Sequence, residues 1–200
     1  MYPCPKKINK YAIFSILIVF LSSLCAYFIT EYMNSLQLGM LNITDIPQSY
    51  RILFKVSSSI ASVIPIVIFL FLYFSSEIMF NDLFGEEIEK YVLLKILGIS
   101  FIPMLIYQYF FWFNILIYCN TISIKEVSDF INMTFMYGLT LEDFGFINLI
   151  CWGIVYLVPV VYFIYKEVNF VSTIVSFLLP SFLTLFFSIY SFNVSIMAFA

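Results

Sequence analysis

Residues 144–165 read FGFINLICWGIVYLVPVVYFIY, a run without a single Asp, Glu, Lys or Arg. A helix needs roughly 20 apolar residues to cross the ~30 Å hydrocarbon core of a bilayer, and this run is that long. Glu142 and Asp143 precede it, and Lys166 and Glu167 follow it. Four more charge-free stretches occupy 11–30, 56–76, 96–124 and 168–200 of the 200 residues. In hydrocarbon every backbone N–H and C=O must be bonded within the protein, which leaves helices or a closed barrel. A barrel strand alternates apolar and polar positions over about ten residues, whereas these runs are continuous. The expected fold is an all-α, polytopic transmembrane helical bundle of about five spans.

Composition points the same way. The chain is 63% hydrophobic and 10% charged, against about 25% charged residues in soluble domains. A small globule leaves much of its surface in water, so this much apolar surface needs an apolar solvent. The net charge is −3 and no basic patch is present, which argues against nucleic acid as a partner. The lipid bilayer is the first expected partner. Of four cysteines, Cys25 and Cys151 fall in apolar runs, and no C-x-x-C spacing marks a zinc site or redox pair.

The chain reads as one membrane domain, 1–200, with spans at about 11–29, 57–80, 92–118, 146–165 and 170–192. Lys6, Lys7 and Lys10 ahead of an apolar run resemble a signal peptide. Leu24 is too large for the cleavage box that Ser22-Ser23-Leu24-Cys25 approaches, so an uncleaved first span is expected. The loop Thr30–Lys55 follows, with Pro47–Val56 as a short interfacial helix. Ser57, Ser58, Ser59, Ala61 and Ser62 open the second span with small residues that allow close helix approach. Pro103 should kink the third span, and its aromatic second half, Tyr107 to Phe113, should approach the far headgroups. Ser128 is placed to cap a short helix over Asp129–Met136. Lys166-Glu167-Val168-Asn169 makes a tight hairpin between the last two spans. One side would hold Lys6, Lys7, Lys10, Lys90, Lys95 and Lys166, and the other Arg51, Lys55 and Lys125. Positive charge favours the cytoplasmic side, so the expectation is N-inside and C-outside.

Chemistry is scarce. The chain has no histidine, which removes Ser–His and Cys–His nucleophile pairs. No catalytic, cofactor-binding or metal-binding residue is assigned, and the chain is read as a non-enzyme. Glu86-Glu87 resembles the paired Glu of certain intramembrane proteases, but after Ile88-Glu89-Lys90 the residue is Tyr91 where those proteases have Arg, and the distant histidines do not exist. It reads instead as part of a solvated acidic loop with Glu77, Asp82 and Glu89. Lys95 lies one turn inside the third span, where it can snorkel or pair with Glu77. Gln108 and Asn114 are the amides deep in that span, placed to bond across helices or to meet a ligand. Asn42-Ile43-Thr44, Asn132-Met133-Thr134 and Asn193-Val194-Ser195 match the glycosylation triplet.

Two segments carry a family resemblance. LLKILGISFIPMLI, 93–106, is a basic apolar helix start running through small residues to a proline. NLICWGIVYLVPVVYFIYKEVNFVSTIVSFLLPSFL, 148–183, is an aromatic-bearing span, a short Lys-containing turn and a span with a proline. Together they resemble the Yip1 family, particularly its bacterial, five-span members. The long N-terminal region of eukaryotic members, with its Asp-Leu-Tyr-Gly-Pro motif, has no counterpart ahead of the first span. Asp82-Leu83-Phe84-Gly85 is similar in part but stands in another loop. The resemblance implies a non-enzymatic protein of the bacterial cytoplasmic membrane (ER or Golgi membrane in a eukaryote). It implies an accessory to an exporter or toxin-resistance system, with ABC-type exporter components or a second copy as partners. The acidic loop Asp82–Lys90 and the aromatic half of the third span would be the contact surfaces. The competing expectation is a transporter or permease subunit, with Pro103, Pro159 and Pro180 marking broken helices around a central site. An enzyme using Glu86 or Glu87 is a third.

Overall fold

The computed structural model describes residues 10–40, 48–121, 134–178 and 180–182. They form helices and turns, with no strand among the described residues. In chain order the helices are α1 (Lys10–Met40), α2 (Gln48–Ile78), α3 (Lys90–Ser100), α4 (Ile102–Thr121) and α5 (Leu141–Tyr165). A shorter apolar helix, α6, covers Phe170–Phe182. Four segments are long and apolar enough to cross a membrane: Ala12–Leu36, Tyr50–Leu83, Lys90–Tyr118 and Leu141–Tyr165. Much of their surface is apolar and outward-facing, as Leu17, Ile60, Ile106 and Val161 illustrate. In a bilayer that surface meets lipid tails at no hydrophobic cost.

Several boundaries differ from the expected ones. The first helix does not stop near Ile29; it continues to Met40, because Glu31 to Met40 contains no proline and the extension packs on α2. Residues 48–56 are not a separate interfacial helix but the first turns of α2. At about 1.5 Å per residue each of these two helices is roughly 46 Å long, so the α1–α2 pair outruns the hydrocarbon core. Pro65 lies inside α2 and Pro159 inside α5 without ending either helix.

The third span does break, two residues before its proline. Pro103 has no N–H for the Ile99 carbonyl and its ring crowds that carbonyl, so α3 closes at Phe101, whose N–H reaches Gly98 O and Ile99 O. Helix α4 restarts at Ile102. The broken α3–α4 span is the centre of the fold: α1 packs along both of its halves, α2 against α3, and α5 against both.

Helix α5 starts five residues ahead of the expected 146. Thr140 accepts from the Asp143 N–H (3.2 Å) and the Asp143 carboxylate accepts from the Thr140 N–H (2.8 Å), a capping box. This favourable start holds two charged residues in the first turn. Ser128, most of Asp129–Met136, the tail after Phe182, Lys6, Lys7, Lys125, Cys4 and the asparagines of the three triplets lie outside the described residues.

Candidate functional site

The described polar side chains inside the bundle fall at three levels. At the middle, the helix break is filled by aromatic rings. Phe101 meets Phe69 edge-on at 5.8 Å and Trp152 at 6.1 Å, and Phe101 is fully buried. A Cβ added to Gly98 would collide with Ser15 of α1, so glycine is what lets α1 and α3 close here. About two turns beyond Phe101, Gln108 Oε1 accepts a 2.6 Å hydrogen bond from Ser22 of α1. Ser23 donates to the Ser62 carbonyl of α2. The small residues opening α2 therefore bond as well as pack.

Toward the α1–α2 connection, Asn34 clamps the two helices. Its Nδ2 has three acceptors on α2: Phe54 O (3.2 Å), Ser57 Oγ (3.0 Å) and Ser58 Oγ (3.1 Å). Both serine hydroxyls in turn donate to Phe54 O, which leaves their lone pairs facing the amide. At the same end, Asn114 Nδ2 donates to Phe110 O (2.8 Å), and Asn114 Oδ1 accepts from the Met136 N–H (3.2 Å). That bond ties the turn before α5 to α4. Phe135 plugs the space between them, against Ile115, Phe144, Tyr118 and Phe111. Tyr107, Phe110 and Phe111 join this second core, so the aromatic half of the third span is largely an internal wall; Tyr109 and Phe113 face out.

The opposite end carries the acidic loop. After Ile78, α2 loosens into one π-helical turn, Met79–Leu83. The extra residue in that turn swings Phe80 inward, where it packs at 5.4 Å on Phe163 and 5.7 Å on Phe177. Glu77 is ion-paired with Lys90 at the start of α3, one turn from Lys95, the partner expected for it. Glu86 accepts from Ser172 of α6 (3.0 Å), and Ser76 donates to the Ser176 carbonyl (3.2 Å). Asp82, Glu87 and Glu89 are exposed. The hydroxyls of Thr173 and Ser176 are buried without a hydrogen-bond partner. Among the described residues no group of three or more His, Cys, Asp or Glu comes together to hold a metal ion.

Both turns flanking α5 hold a non-glycine residue in the left-handed region. Before α5, Tyr137 has φ 64° and ψ 20°. After it, Glu167 has φ 62° and occupies the position where a helix-ending Schellman turn usually has glycine. The Glu167 N–H reaches Ile164 O (3.0 Å) and the Val168 N–H reaches Phe163 O (3.1 Å).

Sequence reasoning singled out Gln108 and Asn114, which the structure places in interhelical and turn-holding bonds. It did not find Asn34, Gly98 or Phe80. The Thr140-x-x-Asp143 spacing was a readable helix start, and Asn34 lies past the expected end of the first span, in the part of α1 read as a loop; nothing local marks Phe80. No protein-family model matches the chain, and neither a curated protein nor a solved structure shows significant similarity to it.

Proposed function

We propose that this chain is a non-enzymatic integral membrane protein that works by association, as an accessory or scaffold subunit of a membrane complex. The observation that carries the reading is the use of its deep amides. Gln108, 9% exposed, and Asn114, 1% exposed, bond to Ser22 and to the turn at Met136, while aromatic rings fill the break at Phe101. Groups that a permeant would need are engaged in holding helices together. The finer reading has five spans, the last beginning with α6, with N-inside and C-outside by the Lys and Arg distribution. Its membrane would be the bacterial cytoplasmic membrane, and its partners exporter or toxin-resistance components in keeping with the Yip1-like segments. The exposed acidic side chains Asp82, Glu87 and Glu89 offer a charged contact surface beside the lipid-facing helices.

Cross-linking in native membranes, followed by purification in mild detergent, tests this. A defined partner chain or a defined self-assembly, lost when Asp82, Glu87 and Glu89 are neutralised, supports it; a lone monomer in the membrane counts against it. The transport-subunit reading is favoured by one observation, the helix break in the central span. Flux in reconstituted vesicles that falls on replacing Gln108 or Asn114, in a protein that still folds, would favour it over the scaffold.

A further inference from the structure

The two most exposed aromatic side chains among the described residues stand at opposite ends of one helix. Tyr137 is 83% exposed, one turn before α5, and Tyr165, its last residue, is 81% exposed. Neither ring is packed on the protein. From Leu141 to Tyr165 the helix rises about 36 Å at roughly 1.5 Å per residue. The hydrocarbon core is about 30 Å thick and the bilayer with its headgroup regions about 40–45 Å.

The backbone at Tyr137 adds an independent point. A left-handed φ is unfavourable for a bulky residue and cheap for glycine or asparagine. The turn is held from every side: Phe135 is buried, its N–H reaches Leu139 O (2.7 Å), the Gly138 N–H reaches Phe135 O (3.0 Å), and Met136 is bonded to Asn114. These bonds present a side chain that touches almost nothing of its own chain. A tyrosine has an apolar ring and a hydroxyl tip, the combination suited to the headgroup layer.

We propose that Tyr137 and Tyr165 are the bilayer anchors of this bundle, each seated in one headgroup layer, and that the strained turn serves to hold Tyr137 at that height. The inference rests on the membrane-spanning reading of α5. Tyr137 fixes the level of the α4–α5 end and Tyr165 that of the α5–α6 end, so the pair sets how deeply and at what tilt the bundle sits.

The test uses the full chain in phosphatidylcholine vesicles. Trp112 and Trp152 are its two tryptophans; with both changed to Phe, Trp is introduced as Tyr137→Trp, Tyr165→Trp or, as a mid-helix control, Leu157→Trp. Lipids brominated next to the ester should quench positions 137 and 165 more strongly than lipids brominated near the chain end, with the reverse order at 157. Absence of quenching at 137 and 165, whether from water or from a covering protein, overturns the proposal, as does the 157-like order. Because Trp152 packs on Phe101, a second measurement keeps the native tryptophans. Glu167→Gly relieves a left-handed residue without removing an aromatic ring and should raise the unfolding temperature in vesicles. Tyr137→Gly relieves the same kind of strain yet should lower it by roughly 2–4 °C; equal rises for the two variants would refute anchoring. Alkaline extraction of the same vesicles separates the two readings. A chain that stays in the membrane while its probes are unquenched fails the anchors alone, and a chain that is washed off fails the spanning reading with them.

Discussion

The two ends of the bundle are closed in different ways. At the Lys90 end the charged contacts involve groups at the loop, Lys90, 66% exposed, on Glu77, and the Glu86 carboxylate on the buried Ser172, while the buried Ser76 donates to the Ser176 carbonyl. Beneath them lies the ring cluster of Phe80, Phe163 and Phe177, supplied entirely by helices and the π-turn. At the Asn114 end two amides make the polar contacts, Asn34 on α2 and the buried Asn114 accepting from a backbone N–H, and the ring that plugs the space, Phe135, comes from a turn. An exposed ion pair contributes little because water screens it. A buried amide matters more, because its loss strands a partner that water cannot reach. The ion pair of the acidic end, which stands out in the sequence, is therefore the contact that should matter less to stability.

The largest effect should come from the rings. Phe80→Ala removes a fully buried ring between three rigid elements that cannot collapse into the gap. Because lipid solvates the unfolded helix as well, mainly the cavity part of a core truncation remains, about 2–3 kcal/mol. Phe135→Ala makes the same change in a turn that can settle inward, so its loss, read by thermal unfolding in detergent, should be smaller. Equal losses would mean that the turn is as rigid as the helices.

Next in size is Asn114→Leu, which keeps the volume but leaves the Met136 N–H without its acceptor. A loss of about 1–3 kcal/mol is expected, together with faster amide exchange at Met136 and Gly138. Exchange confined to global unfolding would show that the turn is held by Phe135 alone.

Thr173→Val, at the other end, should have the opposite sign. It replaces a buried, unpartnered hydroxyl with a methyl of nearly the same shape, and a gain of about 1 kcal/mol is expected. A loss would reveal a bonding partner for Thr173 in the membrane. The smallest effect belongs to Lys90→Met, for which the same unfolding assay should detect no change at low or high salt. A clear, salt-sensitive loss would reverse the ranking of the two ends.

Much of this was legible in the residues. Charge-free runs long enough to cross the hydrocarbon core point to helices, so the all-helical reading needed no tertiary information. The break near Pro103 followed from a missing N–H and a crowded carbonyl, and the hairpin at 166–169 from its shortness. Helix ends were less legible. Stopping α1 near Ile29 treated the first charge, Glu31, as the end of the helix, whereas charge marks the membrane boundary and the backbone continues past it to Met40. The start of α5 differs for the same reason, since Thr140 and Asp143 favour a helix start while the charges of Glu142 and Asp143 suggest a loop.

What the sequence determined by itself was the helical class and the presence of segments long and apolar enough to cross a bilayer, because both depend on neighbours along the chain and on length measured against bilayer thickness. Which residues meet was decided only in three dimensions. That Asn34 finds Ser57 and Ser58, that Gly98 admits Ser15 and that Phe80 turns inward between Phe163 and Phe177 all depend on how helices far apart in sequence cross. In a chain this apolar, almost any face can lie against lipid, so hydrophobic periodicity does not say which face lies inward, and packing chooses it.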